Sequence, residues 1–138
     1  MKIMRWMGYA GVAVALGGCS FGKDVPIAEK AIDGFHAQLD AGHYDAIYDA
    51  GSADLKATAK KEEMNALLAA VHRKLGAFKS GKTDGWNDNV TTGGHLVTLS
   101  YSASYEHGAA AEQFVYRLAG SQAQLAGYHV NSNALILR

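Results

Sequence analysis

One cysteine, one proline and no cluster of basic residues mark this chain of 138 residues. With Cys19 alone, no intramolecular disulfide can staple the fold, so stability must come from a packed core. Thirteen Lys and Arg balance thirteen Asp and Glu. No stretch has the density of cations that neutralises phosphates, which excludes nucleic acid as an expected partner. There is no phosphate-binding glycine loop, dinucleotide fingerprint or nucleophile elbow. The six histidines, His36, His43, His72, His95, His107 and His129, include no H-E-x-x-H spacing and no Cys/His cluster. The sequence therefore predicts no metal and no cofactor. Long apolar runs are also missing: the longest, Met7 to Leu16, is too short to span a bilayer as a permanent helix.

What is there begins at that run. Lys2 and Arg5 precede it, and small residues follow it into Leu16-Gly17-Gly18-Cys19, the order of a secretory signal. Cys19 after Leu-x-Gly resembles the lipobox of bacterial lipoproteins. The resemblance implies a signal peptide over 1–18, a lipid on the Cys19 sulfur, and acylation of the new amine. Two or three acyl chains make anchoring effectively permanent, where one gives only marginal binding. Ser20, not Asp, follows the cysteine; by analogy with the known sorting rule this implies the outer membrane, facing the periplasm. Residues 19–25 form the lipidated end and a short tether, in which five extended residues reach about 18 Å.

Removing 18 residues from 138 leaves 120, enough for one domain with one core, 26–138. Lys2 and Arg5 leave with the signal, so 11 basic residues face 13 acidic ones and the mature net charge is −2. Asp24 and Pro26 open a helix over 26–41, with Ala28, Ala31, Ile32, Phe35 and Leu39 at helical spacing. Tyr44 to Ala50 reads as a short second helix, broken by Gly51-Ser52. Met64, Leu67, Leu68, Val71 and Leu75 mark a third, closed by Gly76. Lys56 to Glu63 reads as a solvated helix start.

The period then changes to two. Val97, Leu99, Tyr101, Ala103 and Tyr105 alternate with polar residues, and so do Glu112, Phe114, Tyr116 and Leu118 with Gln113, Val115 and Arg117. A first strand is expected over 83–92 and a last over 124–133, with turns at Glu106-His107-Gly108 and Gly120-Ser121. The expected architecture is α+β: three N-terminal helices packed on one face of a four-stranded, curved antiparallel sheet.

Phe35-x3-Leu39-x-x-Gly42-x-Tyr44, Leu75-Gly76-x-Phe78 and Leu125-x-Gly127-Tyr128-x-Val130 resemble the cone-shaped α+β fold of the nuclear transport factor 2-like superfamily. The likeness runs over nearly all of the mature chain and, more narrowly, is similar to small secreted bacterial domains of unknown function built on that plan. Cone-fold isomerases and dehydratases keep an Asp or His base and tyrosine hydroxyls in an apolar cavity. The pieces that resemblance would use here are His36, one helical turn from Asp40, with Tyr101, Tyr105 and Tyr116. Tyrosines alternating on strands are more often sheet packing, and a fold does not supply a function. The expectation is thus a non-enzymatic, lipid-anchored periplasmic accessory domain. It would meet a protein partner, or another copy of itself, through a sheet face lined by Tyr101, Tyr105, Tyr116, Arg117 and His129. A binder of a small apolar ligand is the alternative, with a cavity isomerase or hydrolase third.

Overall fold

A computed structural model describes residues 22–137. The expected signal peptide over 1–18, Cys19, Ser20 and Phe21 lie outside the described residues. The elements run α1 (Val25–Asp40), α2 (Tyr44–Asp49), α3 (Ala53–Thr58), α4 (Lys61–Leu75), then β1 (Phe78–Thr91), β2 (Gly94–Tyr105), β3 (Gly108–Ala119) and β4 (Gln122–Asn131), ending in α5 (Asn133–Leu137). The four strands form one antiparallel sheet in chain order, each hairpin placing the next strand beside the last.

The described residues hold five helices, two more than the sequence predicted. Helices α1, α2 and α4 match the predicted three. Neither extra helix carries a periodic apolar stripe: α3 buries only Leu55 and α5 buries nothing fully. Periodicity therefore could not reveal them.

Helix α1 buries Ala28, Ile32, Phe35, His36 and Leu39 along one stripe, and α4 buries Met64, Leu68, Val71 and Leu75. Gly76 ends α4 at φ 76°, and its amide donates to the His72 carbonyl. A side chain at Gly76 would also collide with the His107 ring. The next backbone bonds, His107 N–H to Leu75 O and Glu106 N–H to Ala77 O, pin the β2–β3 turn to the end of this helix.

The sheet's inner face packs on the helices through Val97, Leu99, Tyr101 and Tyr105 of β2, and Ala110, Phe114, Tyr116 and Leu118 of β3. On β4 the inward residues are Leu125 and Tyr128, three apart rather than two. A bulge opposite Val115/Tyr116 adds a residue at Ala126 and resets the alternation. Strand β1 starts at Phe78, five residues before the predicted start, because two further bulges hide its alternation. Burial of each large apolar side chain here contributes about 1.5–3 kcal/mol.

Candidate functional site

The middle of the interior under the sheet is packed with aromatic side chains. Phe35 lies edge-on to Phe114 at 5.0 Å and tilted against Tyr128 at 4.7 Å. His36 stacks nearly parallel on Phe78 with ring centroids 3.8 Å apart. Into this aromatic packing β3 projects one charged side chain, Glu112, whose carboxyl is fully buried. Its Oε2 lies 3.0 Å from His36 Nε2, and its Oε1 accepts a 2.5 Å hydrogen bond from the Tyr105 hydroxyl. Both oxygens are thereby satisfied, as burial of a carboxyl demands.

Two polar atoms at this cluster have no protein partner among the described residues: His36 Nδ1 and the Tyr128 hydroxyl. With Nε2 facing Glu112, the other ring nitrogen of His36, Nδ1, has no hydrogen-bond partner among the described residues. Burial, followed by the nearby Glu112 carboxyl, pushes the hydroxyls of Tyr105 and Tyr128 far above the ordinary tyrosine value. Tyr116 moves the same way for the same causes.

The structure separates the residues that the sequence grouped. His36 does not turn to Asp40; its partner is Glu112, 76 positions away. Asp40 is exposed and accepts the Phe78 amide at 3.0 Å, fastening the start of β1 to the end of α1. The five residues expected on one sheet face also divide. Tyr101, Tyr105 and Tyr116 point inward and are buried, whereas Arg117 and His129 point outward. The reason is the pleat: neighbours along a strand, such as Tyr116 and Arg117, face opposite sides. Arg117 is held by the Asp54 carboxylate through Nε at 2.6 Å and an amino nitrogen at 2.8 Å, and also donates to the Gly93 carbonyl. That forked bond, with help from Ser52, holds the Asp54 carboxyl well below the usual carboxylate range.

Glu112 was the functional-site residue that sequence reasoning passed over, although its signal was present. It falls in register with Phe114, Tyr116 and Leu118, a row that the pleat sends to one face. A carboxyl in a buried row requires a buried partner, and His36 is the imidazole on the facing stripe of α1.

Two open surface clefts flank the filled interior. One, of about 410 Å³, runs between α1, α2 and β4 past Ala31, Gly34, Ala37, Ile47, Tyr116 and Leu125. The other, of about 420 Å³, lies on the outer side of the sheet among Asp84, Ser100, Gln113, His129 and Asn131. The middle of that outer side also carries Ser102, Ser104, Ala109 and Ala111, all exposed. These four side chains are small.

The family described as a protein of unknown function (DUF3887) matches residues 33–127, from the middle of α1 to the bulged part of β4. The matched span holds His36, Tyr105 and Glu112. No curated protein matches the chain.

Proposed function

We propose, for a chain that belongs to the DUF3887 family of proteins of unknown function, a non-catalytic accessory module of nuclear transport factor 2-like design. Lipid on Cys19 holds it to a membrane facing the periplasm, the outer membrane by the Ser20 rule. It takes a protein partner on the outer side of its sheet. One observation carries the reading: the space under the sheet is occupied by Phe35, His36, Phe114, Tyr128 and the fully buried Glu112. A reactant would have to displace that core. The outer surface offers hydrogen-bonding groups to a partner, among them Ser100, Gln113, His129 and Asn131 beside the Asp84 carboxylate. The partner this suits is a protein presenting a polar, hydrogen-bonding surface rather than an apolar helix.

Two variants test it. Cys19→Ser is expected to leave the protein unprocessed or released from membranes. A photoreactive residue at Gln113 is expected to capture one defined protein in cells, with capture lost when Ser100→Arg is added. The cleft between α1 and β4 favours the second reading, a small apolar ligand, because its walls are largely alanine, isoleucine and leucine. Crosslinks that form only from Gln38, on that cleft, would replace the first reading by the second.

A further inference from the structure

The geometry points to a divalent transition-metal site, of zinc type, formed by Asp24, Asp88 and His95 where the start of α1 meets the β1–β2 hairpin. The three residues come from separate parts of the chain: the residue before α1, strand β1 and strand β2. In the sheet register Asp88 faces Val97 and His95 faces Val90, so Asp88 and His95 are diagonal neighbours on one side of the hairpin. Val97 is buried, so this is the inner, helix-facing side. The chain entering α1 closes over it, with Gly22 packed against the Trp86 ring.

One ligand atom from each of the three residues lies within 4.8 Å of the other two. His95 Nε2 is 3.6 Å from Asp24 Oδ2 and in direct contact with Asp88 Oδ1. In a tetrahedral zinc site with bonds of about 2.0 Å, donor atoms stand roughly 3.3 Å apart. The Asp24–His95 spacing suits this, and Asp88 lies against the same imidazole nitrogen.

Charge supplies the second argument. The side chains of Asp24, Asp88 and His95 are only 16%, 8% and 24% exposed. Two carboxylates thus share a half-buried space with one imidazole, and among the described residues neither forms an ion pair with Lys or Arg. Even a protonated imidazole offsets one negative charge of two. A dication restores the balance, and it can do so while the fourth position holds water.

Asp24 adds an observation independent of that charge. It stands at the N-cap position of a 16-residue helix, yet its side chain makes no capping bond. A carboxylate there normally accepts from the first-turn amides; this one is turned to His95 instead. The imidazole selects against Mg²⁺ and Ca²⁺, which prefer oxygen alone, and favours Zn²⁺ and its neighbours. Bound, the ion would fasten the start of α1 to the sheet.

The test is titration of the full chain, purified in detergent, with Zn²⁺, Co²⁺, Mg²⁺ and Ca²⁺, followed by heat flow, thermal unfolding and the visible absorption of Co²⁺. One Zn²⁺ per chain is expected, with a raised unfolding midpoint and a cobalt spectrum of nitrogen and oxygen ligation at low coordination number. Asp88→Asn and His95→Gln should each weaken Zn²⁺ binding by at least about tenfold, since even groups behind the ligands cost that much. Asp24→Asn neutralises a side chain that makes no capping bond, so it keeps the test open if a strand variant fails to fold. His43→Gln, at an exposed histidine outside both sites, should leave Zn²⁺ binding unchanged. Three results would overturn the site: Zn²⁺ binding unchanged in folded Asp88→Asn or Asp24→Asn, Mg²⁺ or Ca²⁺ bound as tightly as Zn²⁺, or no binding at millimolar Zn²⁺.

Discussion

Two places in this molecule join histidine to carboxylate, and they differ in stoichiometry and in access to water. Under the middle of the sheet, one carboxyl, Glu112, meets one imidazole, His36, and one hydroxyl, Tyr105, with no side-chain exposure at the acid. At the end of the sheet, two carboxylates, Asp24 and Asp88, meet one imidazole, His95, and all three retain some exposure. The first arrangement is complete in itself and inaccessible. The second is unbalanced and reachable. The same residue types therefore make a structural tie in one place and an ion-binding geometry in the other, and the count of charges decides which.

The comparison breaks most visibly if the central pair is not structural. Glu112→Ala or His36→Ala should each destabilise the fold by about 3–5 kcal/mol, because either leaves a buried polar partner uncompensated. Denaturant unfolding reads this directly. By contrast, Glu112→Met combined with His36→Leu and Tyr105→Phe should cost far less than the single truncations together, since paired hydrophobic replacements of a buried ion pair are often near neutral.

Alkaline unfolding gives the next largest effect. Tyr105, Tyr116 and Tyr128 have pKa values raised in the folded chain by burial and by Glu112. A raised folded value means their contribution is whole below the unfolded tyrosine pKa, near 10, and is lost as pH rises beyond it. Each should cost about 1.4 kcal/mol per pH unit above that point while it stays neutral in the fold. Tyr128→Phe removes a hydroxyl that lacks a partner. It should flatten the alkaline slope with little change at neutral pH, which melting curves across pH 9–12 would show.

At the sheet end the sign reverses. Without metal, Asp88→Asn should leave the melting temperature unchanged or raise it slightly, because it removes one of two neighbouring negative charges; a clear fall would mean that the Asp88–His95 contact stabilises the fold more than the paired charges oppose it. The smallest effect belongs to the surface fork between Asp54 and Arg117. The lowered Asp54 pKa means its contribution is present above the ordinary carboxylate pKa and fades as pH falls below it. Asp54→Asn should lower the melting temperature modestly at neutral pH, and the difference from wild type should shrink in acid.

Much of this was legible in the chain. The helical spacing of Ile32, Phe35 and Leu39 and the alternation from Val97 to Tyr105 announced α1 and β2 and their buried sides. The break at Gly76 was legible because a positive φ there suits glycine. Bulges were not: an extra residue at Ala126 has no fixed composition, so Leu125 and Tyr128 look out of phase until the register is known. Side assignment failed for a simpler reason. Tyr116 and Arg117 cannot share a side of one strand, and grouping them by chemistry overrode the pleat. The His36–Glu112 tie joins residues 76 apart, and the Asp24–Asp88–His95 group draws on three elements. Local pattern carries no information on such meetings.

The central claim is that the buried His36–Glu112 pair is a structural tie of the core. A double-mutant cycle on His36 and Glu112, read by equilibrium unfolding of the full chain, tests it most directly. A coupling energy of at least about 1 kcal/mol, with the double variant less damaged than the two singles added together, is the predicted result. Single-variant effects that are small and simply additive would contradict it.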